Sequence, residues 1–94
     1  MIKHIVCWKF KPGSEAVRDR FLAGLRGLVG QIDCLRSLQT GVNINPDETF
    51  SATLICEFDS LEDLKKYSTD PRHVAIASTI KGICEQRVAV DFEE

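Results

Sequence analysis

The chain has 94 residues, 44% of them hydrophobic and 28% charged, with a formal net charge of −2. That composition is ordinary for a globular protein, and residues 1–94 are read as one domain. The near-neutral balance and the lack of any basic run exclude nucleic acid and anionic membrane surfaces as expected partners. No apolar run reaches the length of a membrane span, and Lys3, His4 and Lys9 interrupt the first ten residues. No export signal is read there, and the expected compartment is the cytoplasm. Cys7, Cys34, Cys56 and Cys84 form neither a CxxC pair nor a Cys/His cluster. They are therefore expected to be reduced thiols, and no metal site is expected.

In residues 2–10 Ile2, His4, Val6, Trp8 and Phe10 alternate with Lys3, Ile5, Cys7 and Lys9, a period of two that predicts a strand. "KPG" breaks it. Ser14 is a suitable N-cap for a helix whose stripe runs through Val17, Phe21, Leu25 and Leu28 and lasts to about Gly30. Gly24 and Gly27 lower its helix propensity, which suits the close approach of a neighbour. A second strand is expected over residues 35–43 and a third in "SATLICEF", with the turn signal "NINPDET" between them. Asp59 or Ser60 caps a second helix, and Asp63 completes an approximate capping box with Ser60. Pro71 suits a first helical turn, so the helical region is expected to kink there and continue to about Ile83. "RVAVDF" reads as the last strand.

The order β-α-β-β-α-β defines an α+β, ferredoxin-like arrangement, one antiparallel sheet with helices on one face. Its second face is the difficulty. Ile5, Cys7, Leu38, Val42 and Ile55 are assigned to an apolar patch that a monomer leaves bare. A second copy of the same sheet covers it, so a homodimer through the sheet face is expected, the two sheets forming an α/β barrel.

The stretch "YSTDPRHVAIA" places a histidine in an otherwise apolar helix. At about 100° per residue, His73, Ile76, Ala77, Ile80 and Cys84 share one stripe that faces the sheet. His4 lies on the strand side that carries Val6, Trp8 and Phe10. Both histidines of the protein then point into one space, and Tyr67, the only tyrosine, lies before the proline within reach of it. A buried histidine is more often bonded to a carbonyl than catalytic, so two readings stand side by side: a chemical site and a structural role.

"MIKHIVCWKFKPG", "ICEFDSLEDLKKY", "DPRHVAIA" and "RVAVDFE" together resemble the stress-responsive α/β-barrel domain family, often called Dabb, across essentially the whole chain. The resemblance implies a ferredoxin-like protomer and a face-to-face dimer. Through the family's cyclase-type chemistry it also implies roles for three residues, with no metal or organic cofactor. His73 would remove a proton alpha to a carbonyl, Tyr67 would hold His73 or donate to the developing enolate oxygen, and His4 would orient the substrate. Val6, Trp8, Phe21, Leu25, Leu54 and Ile76 are the candidate walls for a small apolar ligand, a carbonyl or phenolic compound. Where a cyclase of the family has a further pocket histidine this chain has Ala52, and where it has a late tryptophan this chain has Cys84. No tyrosine stands in the first helix, Leu25 lying nearby, so a different ligand is implied. The alternatives are a non-catalytic binding or stress-associated dimer and, by fold, a cofactor-independent monooxygenase. An enzyme or binder is expected to have a cleft of roughly 300 Å³ or more beside the histidines, and side chains filling that space favour the non-catalytic dimer.

Overall fold

A computed structural model describes residues 1–94. Its elements are β1 (Ile2–Phe10), α1 (Glu15–Arg26), β2 (Ser37–Val42), β3 (Ala52–Phe58), α2 (Leu61–Thr69), α3 (Pro71–Ala77), a 3-10 turn over Ser78–Ile80, and β4 (Cys84–Glu93). The four strands form one sheet in the order β2-β3-β1-β4, each antiparallel to its neighbour. The helices pack on a single face.

Alternation decides which side of β1 that is. Ile2, His4, Val6, Trp8 and Phe10 are buried, and the odd-numbered residues between them are only half-buried. β3 supplies the matching row of Ala52, Leu54, Cys56 and Phe58, all buried. Phe21, Leu22 and Leu25 of α1 close over these rows. The Phe21 ring meets Trp8 edge-on, with centroids 5.0 Å apart and planes at 86°, a favourable arrangement for two ring quadrupoles. Gly24 lets α3 come close: a Cβ there would stand 3.2 Å from Ile76 Cγ2. Gly27 has no such neighbour and meets only carbonyls of its own helix.

Several boundaries differ from the pattern-based expectation. Regular α1 ends at Arg26, and the chain turns away through Gly30, whose φ of +87° favours glycine. Ser14 occupies the cap position without a side-chain bond; its carbonyl accepts from Arg18 N–H. Ser60 does cap α2, Oγ accepting from Asp63 N–H at 3.1 Å. The helical region after it is broken, not kinked. Asp70 is extended at φ −62° and ψ 130°, the conformation that the following proline ring enforces. The Asp70 carboxylate accepts from Arg72 N–H at 2.9 Å and so starts α3.

The uncovered face also needs a correction. Leu38 lies opposite Cys56 and Val42 opposite Ala52, so both belong to the helix-covered side, not to the bare patch. A register shift of one residue exchanges the two faces of a strand. Ile5, Cys7 and Ile55 do lie on the bare side. There they are joined by Val88, Val90 and Phe92 of β4, opposite Cys7, Ile5 and Lys3. These three β4 residues are 50%, 60% and 39% exposed, so the patch is centred on β1 and β4.

Candidate functional site

Four elements bring polar groups to one apolar hollow. β1 contributes His4, which is buried because it falls on the even-numbered side of the strand. Its Nδ1–H donates to the carboxylate of Asp91 on β4, the residue directly across the ladder. That bond fixes the ring and leaves Nε2 without a protein partner.

α2 delivers Tyr67, only 1% exposed, against Phe58 of β3 with ring centroids 5.2 Å apart. Its hydroxyl has no hydrogen-bond partner. The Cys56 thiol is a polar neighbour, but no bond of acceptable geometry joins the two. Burial, reinforced by Cys56, holds the phenol well above its ordinary pKa. Tyr67 therefore stays protonated at neutral pH. Burial likewise pushes the Cys56 thiol up to about 12, which makes it inert as a nucleophile.

α3 delivers His73. The break at Asp70 lets the ring turn back so that Nδ1–H donates to the Ser68 carbonyl at 3.0 Å. With that proton assigned by a carbonyl acceptor, the lone pair of the neutral ring resides on Nε2. Burial lowers the His73 pKa, and the charges of His4 and Arg87 act in the same direction. The Ser68 bond and Asp70 oppose the shift without reversing it. His73 is thus neutral at pH 7, the form that accepts a proton. Tyr67 touches His73 through the rings, with centroids 4.4 Å apart and planes at 47°. The expected phenol-to-imidazole hydrogen bond is absent.

His4, Tyr67 and His73 all line the same cavity, whose walls include Val6, Trp8, Phe21, Leu25 and Leu54. Ile76 is the exception among the candidate residues. It faces Gly24 and lines a separate groove between α1 and α3. The cavity volume is about 130 Å³. That is below the roughly 300 Å³ expected of an enzyme or binder, which counts toward the structural reading, and close to the roughly 150 Å³ hollow that holds benzene in an engineered apolar core. Larger hollows of 310–390 Å³ elsewhere on the surface contain neither histidine nor tyrosine. Ala77 and Ile80 complete the apolar wall, and Arg87 of β4 stands among the lining residues. Local pattern did not reveal Asp91 or Arg87. Pairing β4 antiparallel to β1 sets them opposite His4 and Trp8, and that pairing is a tertiary fact. No group of three or more His, Cys, Asp or Glu side chains is arranged to hold a metal ion, and no helix is long and apolar enough to cross a membrane.

A β2-β3-β1-β4 sheet with helices on one face and an apolar opposite face defines a ferredoxin-like protomer of the dimeric barrel class. The family model for the stress responsive A/B barrel domain, Dabb, matches residues 2–94, and the chain belongs to that family. A stress-response A/B barrel domain-containing protein of Arabidopsis thaliana is 27% identical over 94 residues, which is 96% of this chain and 83% of that protein. Olivetolic acid cyclase of Cannabis sativa is 24% identical over 95 residues, 97% of this chain and 94% of the cyclase. Among solved structures, a dimeric Bacteroides fragilis protein of unknown function and ferredoxin-like fold superposes with a TM-score of 0.95. It is 35% identical to this chain, and the match covers 99% of this chain and 95% of that one. Such dimeric neighbours support a homodimer here.

Proposed function

We propose that this Dabb protein is a homodimer, joined through its bare sheet face, that performs cofactor-free acid–base chemistry on a small carbonyl or phenolic compound in the cavity under α3. One observation carries the reading: a neutral imidazole, its Nδ1–H committed to Ser68, lies at a partly open, mostly apolar hollow with no protein partner on Nε2. In the proposed step Nε2 of His73 takes a proton from the carbon alpha to the carbonyl. The electron pair moves to the carbonyl oxygen as an enolate, and a neutral donor stabilises it. Tyr67 is such a donor, and His4 is held by Asp91 to orient the ligand. The similarity to olivetolic acid cyclase supports a lyase- or cyclase-like class. The volume of the hollow limits the ligand to about one six-membered ring.

A second reading is favoured by the same Ser68 bond, which ties α3 to the end of α2 across the break at Asp70. In that reading the dimer is a non-catalytic binding module and the histidines are structural. Deuterium exchange at the alpha carbon of cyclohexanone, followed by proton NMR in heavy water, separates the two. Wild type is expected to exceed the rate of free imidazole at equal concentration. His73→Asn keeps a donor for the Ser68 carbonyl but has no basic nitrogen, so it is expected to lose the exchange while melting normally. A wild type no faster than imidazole, or a variant as fast as wild type, establishes the structural reading.

A further inference from the structure

The polar end of the cavity carries a charge that the proposed acid–base step does not use. Arg87 projects from the same face of β4 as Ala89 and Asp91 and lies across the ladder from Trp8. It lines the cavity together with His73, yet its guanidinium makes no hydrogen bond and no ion pair. The nearby acids are committed elsewhere. Asp91 accepts from His4, and Asp70 accepts from Arg72 through both carboxylate oxygens. Arg18, Arg36 and Arg72 have carboxylate partners and Arg26 bonds Thr40, whereas Arg20 and Arg87 have none, and of these two only Arg87 lines the cavity. Arg87 is a cation without a counter-charge at the rim of an apolar hollow, a placement that favours an incoming anion.

Building on the proposed site, we infer that its ligand is a small carboxylic acid, the apolar body seated among Val6, Leu25 and Ile80 and the carboxylate held by Arg87. A guanidinium offers a planar pair of N–H donors that matches a carboxylate better than it matches a neutral carbonyl. The roughly 130 Å³ volume accommodates one ring, and the acid group then lies at the rim, where Arg87 meets water. Bound there, the anion also offsets the Arg87 charge that holds His73 back from protonation, so the ligand itself strengthens the imidazole as a base.

Benzoate and its neutral isostere benzamide test the inference on the intact protein. Amide signals of Ala77 and Ile80 report occupancy of the cavity. At neutral pH wild type is expected to bind benzoate at least tenfold more tightly than benzamide. Arg87→Gln should remove that preference by weakening benzoate far more than benzamide, and Arg87→Lys should restore part of it. Arg87 is exposed on an edge strand, so both variants are expected to melt like wild type. Equal affinities in wild type, or a preference that survives Arg87→Gln, overturn the carboxylate inference and leave the cavity reading standing. If millimolar concentrations of either compound leave Ala77 and Ile80 unmoved, the cavity reading falls and this inference falls with it.

Discussion

Replacing Tyr67 by phenylalanine removes one oxygen atom and isolates the cost of keeping it. The hydroxyl is buried, has no hydrogen-bond partner, and has only a thiol, a weak acceptor, beside it. A buried polar group left without a partner costs about 1–3 kcal/mol, because its bonds to water in the unfolded chain are not replaced. The ring keeps its contacts with Phe58 and His73, and the vacated space is smaller than a methyl group, so the cavity penalty is minor. Tyr67→Phe is therefore expected to stabilise the protein by about 1 kcal/mol, the low end of that range, in keeping with partial compensation by Cys56. For a domain of this size about 1 kcal/mol raises Tm by roughly 4–8 °C. Thermal and urea unfolding at a fixed protomer concentration read the effect, since a dimer's midpoint depends on concentration. The same variant should lose most of the alpha-proton exchange, because the enolate oxygen loses its donor. A fall in stability of about 1 kcal/mol or more would instead mean that the hydroxyl is well bonded in the folded protein.

Other consequences are independent of that one. His73 has a lowered pKa when folded, so the unfolded chain takes up its proton first as pH drops. This contribution to stability is intact above the unfolded value of about 6.5 and is lost progressively below it. A series of urea midpoints against pH should show the decline in wild type and a shallower one in His73→Asn. Ser60→Ala removes the only side-chain cap of α2 and should cost about 1 kcal/mol with no change in oligomer size. Val90 is 60% exposed in the protomer and lies opposite Ile5 on the bare face. Val90→Asp places a charge there and should yield monomers in native mass spectrometry where wild type gives dimers. A dimer that persists in the variant would move the interface elsewhere.

The parts of the structure that were legible in the sequence are those where one period governs one element. The strict alternation of β1 assigned His4 to the side of Val6, Trp8 and Phe10, and that row is buried. The stripe from His73 through Ala77 to Ile80 reached the cavity, because two successive turns, α3 and the 3-10 turn after it, carry it there. Ile76 lies at the edge of that stripe, and the gap created by Gly24 drew it toward α1. Leu38 and Val42 went to the wrong face because a six-residue strand with glycine and polar residues has no alternation strong enough to set its own register. Arg87 and Asp91 were hidden for a related reason. β4 is an edge strand beyond the cover of the helices, so its charged row looks like a solvent face, and only pairing with β1 brings that row to the site.

Nitrogen-15 NMR of histidine-labelled protein probes the proposed base itself, because it reports which ring nitrogen of His73 carries the proton and at what pH the second one binds. The structure calls for a proton on Nδ1, a bare Nε2 at neutral pH and a titration midpoint below the ordinary histidine value. A proton on Nε2, or a midpoint above that value, would leave no free base at the cavity and would contradict the proposed step.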